Sequence, residues 1–246
     1  MVRWAWWSLE LSVAAGIVGR VLSAVLDLVL PPSCAGCGAK GAMCCPGCRA
    51  ALLGPPARRL PAPAPSGLPD CWSAALYEGV VRRMIVAYKE RGAVALAGVL
   101  AEAVARAAAA ALGRAGGWAA EGFAVVPVPS ARRSVRDRGH DPVGRLAVLT
   151  ARRLRESGWR AEAWPALGQI RRVADQAGLS CAERSSNLVG SLQVTTAANG
   201  PPAAFALLLD DILTTGATLA EAARAVRSAG LRVPLAVTVG ATRRRS

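Results

Sequence analysis

The strongest constraint on the fold of this chain is a short apolar run that ends in two adjacent carboxylates. Residues 207–209 are three consecutive leucines, typical of a strand buried on both faces, as in a parallel sheet. Asp210 and Asp211 follow directly, and a turn at residues 214–218 leads into a helical pattern. Strands alternate with helices over much of the chain. This pattern predicts an α/β fold, a mostly parallel sheet flanked by helices.

The turn after the two carboxylates combines small residues with hydroxyl groups, namely Thr214, Thr215, Gly216, Ala217 and Thr218. Backbone N–H groups at the start of the helix, together with the helix dipole, favour an anion such as phosphate. Asp210 and Asp211 would repel that anion unless they face ribose hydroxyls or a magnesium ion. A sugar phosphate satisfies both halves of the segment.

The remaining elements follow from periodicity and from capping residues. We expect helices at 94–112, from Asp141-Pro142 to Gly158 and at 218–229, and strands at 123–128, 160–164, 204–209 and 233–239. Pro234 indicates that the last strand lies at an edge of the sheet or starts late.

The chain divides into four regions by composition. We expect an amphipathic helix at residues 1–30 and a cysteine module at residues 31–51. A proline-rich connector follows at residues 52–70, and the α/β domain covers residues 71–246. Arg20 and Asp27 interrupt the apolar stretch of the first region, so we expect no transmembrane span and a cytoplasmic protein. The N-terminal tryptophans leave open a peripheral contact with a membrane.

The chain is strongly basic, with a net charge of +14, which suits polyanionic partners. The positive charge is almost wholly arginine, clustered at Arg132, Arg133, Arg136 and Arg138, at residues 152–155 and at residues 243–245. Two interpretations stay open. The clusters contact nucleic acid, or they form a solvated basic face in a protein whose gene composition favours arginine.

Five of the seven cysteines lie close together near the N-terminus. Two Cys-x2-Cys pairs, separated by seven residues, predict a tetrahedral structural zinc site formed by Cys34, Cys37, Cys45 and Cys48. Cys44 could replace Cys45, and Gly36, Gly38 and Gly47 would permit the turns that aim the sulfurs inward. Disulfide pairing or free thiols are the alternatives, but a cytoplasmic location disfavours disulfides.

Further motifs follow one another along the chain. They are Tyr77-Glu78-Gly79, Lys89-x-Arg91-Gly92, Val126-Pro-Val-Pro129, Arg138-Gly-His-Asp141, Gln176-x-x-Leu179 and Arg184-x-x-Asn187. With the cysteine pairs, this set resembles the ComF family, which is associated with DNA uptake in naturally transformable bacteria. The segment at 206–218 resembles the phosphoribosyl pyrophosphate (PRPP) motif of type I phosphoribosyltransferases. The sequence departs from many relatives at 140–142, where His-Asp-Pro stands in place of Phe-Asn-Gln, and the role of His140 stays open.

The resemblance implies a role for each matching position. Asp210 and Asp211 would be the catalytic carboxylates that bind the PRPP ribose hydroxyls, directly or through Mg²⁺, and residues 214–218 would hold the 5-phosphate. Pyrophosphate would lie against Val128, Pro129 and Ser130. A mobile loop carrying Arg172, Gln176, Arg184 and Asn187 would close over the site.

Two functions are compatible with these features. The first is a phosphoribosyltransferase that uses PRPP and Mg²⁺ with an unknown acceptor, linked to DNA uptake or utilisation. The second is a non-catalytic component that uses the same fold to bind single-stranded DNA or competence proteins such as a ComF helicase, with arginines 132, 133, 136 and 138 as candidate DNA contacts.

Overall fold

The computed structural model describes residues 32–114, 117–129, 141–170, 190–195 and 200–243. The helices are α1 Pro46–Leu52, α2 Gly79–Glu90, α3 Ala97–Leu112, α4 Pro142–Glu156 and α5 Ala217–Ser228. The strands are β1 Ala57–Arg58, β2 Asp70–Leu76, β3 Phe123–Pro127, β4 Ala161–Ala163, β5 Leu167–Gln169, β6 Leu192–Val194, β7 Phe205–Leu213 and β8 Arg232–Ala241. The amphipathic helix expected at residues 1–30 lies outside the described residues.

Six strands form one sheet in the order β1-β2-β8-β7-β3-β4. Strands β2, β8, β7, β3 and β4 are mutually parallel, and only β1 runs antiparallel at one edge. Strands β5 and β6 form a separate antiparallel pair. The prediction of an α/β fold with a mostly parallel sheet flanked by helices is confirmed.

Side chains of the central strands alternate between two apolar cores. Leu207 and Leu209 of β7 pack in the core that α2, α3 and α4 cover. Ala206 and Leu208 pack in a second core, on the face covered by α5 and the β5–β6 pair. A strand that is buried on both faces needs apolar residues at every position, which explains the unbroken run in the sequence.

The stretch Val94–Leu112, which contains α3, is long and apolar enough to cross a membrane by length and composition. Its helical residues are largely buried, however, and they pack against α4 and against strands β2 and β8. Alanines occupy most of the buried positions, so the helix approaches its neighbours closely. These contacts are those of a core helix in an α/β domain.

Pro234 lies in a central strand, so of the two predicted alternatives the edge position is wrong, while a late start holds for the pairing with β2. β8 runs between β2 and β7, but its pairing with β2 starts only at Leu235. Against β7 the register shifts between Phe205 and Leu207. An advance of two residues along β7 there matches an advance of three residues along β8, from Arg232 to Leu235. Proline has no N–H to donate, and this irregularity places it where the regular ladder has not yet begun.

Candidate functional site

The carboxyl ends of β3, β7 and β8 meet at one edge of the sheet, where the sequence-predicted residues converge. β7 continues to Leu213, so Asp210 and Asp211 lie near the end of the strand itself rather than in the loop after it. The N–H of Val128 donates to the carbonyl of Leu209 at 2.8 Å, which places Val128 and Pro129 beside the two carboxylates. Parallel α/β sheets bind ligands in crevices at this edge.

Asp211 is buried and forms an ion pair with a lysine of helix α2. Lys89 Nζ, in the last turn of α2, lies 2.5 Å from Asp211 Oδ2. Burial favours the neutral amine of Lys89, but the charge of Asp211 and its hydrogen bond outweigh burial and raise the lysine pKa. Sequence reasoning used Lys89 only as part of a motif and missed this contact, since nothing local in the sequence indicates which carboxylate the helix reaches.

Asp210 is half-buried and electrostatically different from its neighbour. Its Oδ1 accepts a hydrogen bond from the Asp211 N–H at 2.8 Å. Desolvation, followed by the negative charge of Asp211, raises the pKa of Asp210 well above its usual range, although Lys89 opposes the shift. The adjacent carboxyl groups therefore differ, because Asp211 has a cation beside it and Asp210 tends to keep a proton.

The turn after β7 leads into α5 through a glycine that the backbone requires. Gly216, the residue before α5, has φ +78°, a left-handed conformation that L-residues rarely adopt. A Cβ at this position would lie 3.2 Å from Pro61 Cγ and 3.1 Å from Leu68 Cδ2. The N–H of Ala217 donates to Thr215 Oγ1 at 3.4 Å. The proline-rich segment is therefore packed against the turn that the sequence predicts to hold phosphate.

Many predicted site residues lie outside the described residues. These are Ser130, the mobile-loop residues Arg172, Gln176, Arg184 and Asn187, the candidate DNA contacts Arg132, Arg133, Arg136 and Arg138, and His140. The structure describes the two carboxylates, the turn and the end of β3, and brings these three parts together.

A second candidate site is formed by the cysteine module. The sulfurs of Cys34, Cys37, Cys45 and Cys48 all lie within 4.8 Å of one another, and Cys37 Sγ and Cys45 Sγ are 3.6 Å apart. Tetrahedral zinc with Zn–S bonds of about 2.3 Å needs sulfurs separated by about 3.8 Å. Cys44 is not in this set and points its sulfur toward the Cys45 carbonyl. The four cysteines are thus placed to bind a metal ion, and Cys45 rather than Cys44 belongs to this set.

Backbone groups favour a thiolate at the centre of this cluster. Burial disfavours the charged form of Cys34, but the N–H groups of Cys45, Cys37 and Gly36 outweigh it and lower the Cys34 pKa to about 6. Burial and a hydrogen bond with Cys34 raise the pKa of Cys48. Since metal ligands must be deprotonated, a bound cation would supply the charge that ionises the remaining thiols.

Two of the three glycines of the module have the structural role that the sequence predicts. A Cβ on Gly36 would lie 2.6 Å from Cys48 Sγ, so a side chain there would displace a ligand. Gly38 has φ +83°, and its N–H donates to the Cys34 carbonyl at 2.8 Å. Gly47 lies inside α1. Among the described residues, no atom lies within 4 Å of the position that its Cβ would occupy. Its expected role in a turn is therefore wrong.

Polar contacts attach the cysteine module to the α/β domain. Arg49 Nη2 donates to both carboxylate oxygens of Glu102 in α3, at 2.6 and 2.7 Å. Arg83 of α2 donates from Nε to the Gly36 carbonyl. Because α2 also carries Lys89, one helix touches both the metal-ligand cluster and the carboxylate pair.

The basic stretch at 152–155 is engaged in contacts within the protein. Arg152 pairs with Glu156 at 2.9 Å, and Arg153 and Arg155 donate to the carbonyls of Gly98 and Ala161. All three arginines of this stretch therefore have partners within the protein.

A buried carboxylate outside both sites ties α5 to the β5–β6 pair. Glu221 accepts the N–H of Leu192 at 3.0 Å and pairs with Arg224, which also donates to the Leu192 carbonyl. Arg224 and Glu221 line a groove of about 680 Å³ between α5 and residues 65–67. The groove also reaches Ala217, the first residue of α5. Sequence reasoning missed Glu221, because its position in a helix indicates only a surface acid.

No family model matches the chain, and a search of curated proteins found no match either.

Proposed function

We propose that the chain binds PRPP, or a closely related ribose 5-phosphate ester, at the carboxyl edge of its sheet and transfers the phosphoribosyl group to an acceptor. The observation that carries the proposal is the convergence of the Asp210–Asp211 pair, the turn at 214–218 and the end of β3 at residues 128–129. Carboxylates suit the hydroxyls of a ribose, and a helix N-terminus suits its phosphate. The ComF resemblance of the sequence narrows the ligand to PRPP.

In this reaction the bond from ribose C1 to the pyrophosphate oxygen breaks and a bond from C1 to the acceptor nucleophile forms. Positive charge builds on the sugar, and the buried carboxylate of Asp211 would lie near it. Asp210 and Asp211 would orient the ribose, and the backbone of the turn would hold the 5-phosphate. Magnesium, when bound, would neutralise the leaving pyrophosphate.

Calorimetry with PRPP and Mg²⁺ tests the binding part of the proposal. We expect Asp211→Asn, which keeps the side-chain shape, to weaken PRPP binding at least tenfold. Asp70→Asn is the matched control, because Asp70 begins β2 at the opposite end of the sheet and pairs with Arg58 at the surface. Unchanged affinity in Asp211→Asn, or no binding by the wild-type protein, would contradict the assignment.

A separate assay tests transfer. Pyrophosphate release should appear when the zinc-loaded protein is incubated with PRPP, Mg²⁺ and the correct acceptor from a panel of nucleobases and amines. Release should disappear in Asp211→Asn and persist in Asp70→Asn. PRPP binding without release for any acceptor would leave a binding module as the function.

The DNA-binding alternative stays a prediction from the sequence. The described parts of its basic surface are residues 152–155 and Arg243. They are engaged with Glu156, with backbone carbonyls and with Glu78, so no described contact favours DNA binding. The association with competence proteins and the cytoplasmic location are likewise expectations from the sequence and its resemblance.

We further propose that the metal of the cysteine cluster is zinc and that its role is structural. Four thiolates complete a tetrahedral coordination sphere and leave no position for a substrate. The contacts of Arg49 and Arg83 attach the cysteine module to helices α3 and α2. A bound metal ion would therefore stabilise a module that is fixed to the α/β domain.

A further inference from the structure

Lys89 places an ammonium group inside the carboxylate site. The chain has only two lysines, Lys40 and Lys89, among 30 basic residues. The Lys89 side chain is 29% exposed and that of Asp211 is 9% exposed, with 2.5 Å between Nζ and Oδ2. The buried residues of α2 are Val81, Met84, Ile85, Ala87 and Tyr88. Their burial fixes the helix and therefore the position from which Lys89 reaches β7.

A divalent cation and this ammonium would compete for the same oxygen. Mg²⁺ requires oxygen ligands at about 2.0–2.1 Å in near-octahedral geometry. An ion bound to Asp211 Oδ2 would bring two cations together in a partly desolvated site, where their repulsion is screened less than in water. Because Lys89 already balances Asp211, the pair lacks the double negative charge that attracts a divalent ion.

We propose that Lys89 is the resident counter-cation of Asp211 and excludes a divalent cation from the carboxylate pair. The sugar hydroxyls of the ligand then bind the carboxylates directly, and magnesium enters only with the phosphate groups of the ligand. The part that concerns the sugar rests on the proposed function. The part that concerns the cation rests on the Lys89–Asp211 contact alone.

Binding of Mn²⁺ alone to the full-length, zinc-loaded protein tests the proposal, with free Mn²⁺ measured by electron paramagnetic resonance. We expect Lys89→Gln to gain one Mn²⁺ site at least tenfold tighter than any in the wild-type protein, and the added change Asp211→Asn to abolish it. Lys89→Arg keeps the charge and should behave as wild type. Arg82→Gln, at an exposed position of the same helix, is the control for loss of a positive charge.

Two results overturn the proposal. One is a wild-type protein that binds Mn²⁺ at Asp211 as tightly as Lys89→Gln does, and the other is a folded Lys89→Gln that gains no site. If the Gln variant does not fold, Lys89→Met keeps the apolar stem and replaces it in the experiment. If neither neutral variant folds, Mn²⁺ should restore the helical circular dichroism, and failure to do so refutes the counter-cation role.

Calorimetry with PRPP separates this inference from the proposed function. Absence of PRPP binding to the wild-type protein would remove the proposed function, while the Mn²⁺ titration would still decide the role of Lys89. PRPP binding together with an unchanged Mn²⁺ titration in Lys89→Gln would remove only the counter-cation role.

Discussion

Replacement of Gly216 by alanine tests how the turn before α5 is held. Gly216 has φ +78°, and an L-residue in this left-handed conformation costs about 1–2 kcal/mol. The new Cβ would lie 3.1 and 3.2 Å from the two Leu68 methyl carbons and 3.2 Å from Pro61 Cγ. Such contacts force small shifts, at the low end of the roughly 1–3 kcal/mol typical of overpacking. We therefore expect Gly216→Ala to lower the free energy of unfolding by about 2–3 kcal/mol.

Two further variants separate the backbone cost from the packing cost. Gly230 has φ +91°, and within the described part of the chain an added Cβ there meets no atom within 4 Å. Gly230→Ala should therefore lose only the backbone part, about 1–2 kcal/mol. Leu68→Ala combined with Gly216→Ala removes the closest contact, so the two changes should couple favourably by about 1 kcal/mol.

Urea unfolding of the zinc-loaded protein, followed by circular dichroism, measures Gly216→Ala, Gly230→Ala, Leu68→Ala and the double variant against wild type. Equal losses in Gly216→Ala and Gly230→Ala, without coupling to Leu68, would refute the packing of the proline-rich segment on the turn. A Gly216→Ala protein as stable as wild type would refute the left-handed conformation itself.

Two other predictions concern the cysteine cluster and Asp210. Cys45→Ser should lose the bound zinc ion that Cys44→Ser retains, because Cys45 and not Cys44 lies within the four-sulfur cluster. The zinc content of each variant after gel filtration measures this loss. Equal zinc content in the two variants would contradict the prediction. Asp210 has a raised pKa when folded, so its stabilising contribution is full below about pH 4 and is lost as the pH rises through the folded pKa. Asp210→Asn should therefore become progressively more stable relative to wild type as the pH rises above about pH 4. A difference in unfolding free energy that does not change with pH would contradict this.

Local pattern predicted three of the five described α-helices and four of the eight described strands, but not α2 or β2. The leucines at 207–209, the alternation at 233–239 and the Asp141-Pro142 helix start each predict an element that the structure contains. The error at Pro234 has a physical cause. Whether a strand is central depends on which strands pair with it, and the shifted register between β7 and β8 is a property of the assembled sheet.

The metal-ligand cluster was also predictable from the sequence, because the two members of each Cys-x2-Cys pair are close in the chain. Cys34 and Cys37 flank a turn, and Cys45 and Cys48 lie at the start of α1. The choice between Cys44 and Cys45 was not predictable, since adjacent residues point in different directions and only the start of α1 at Pro46 fixes which sulfur faces Cys37. The same limit applies to Gly47, whose place inside α1 removes the need for a turn.

The sequence by itself determined that two carboxylates and a hydroxyl-rich turn follow a doubly buried strand, because burial on both faces requires an unbroken apolar run and each of these groups is adjacent in the chain. Only the tertiary structure decided that Lys89 neutralises Asp211 and that Leu68 packs on Gly216. These contacts join residues far apart in sequence. They exist because the parallel sheet brings the end of β7 beside α2 and the proline-rich segment, and no local periodicity encodes that proximity.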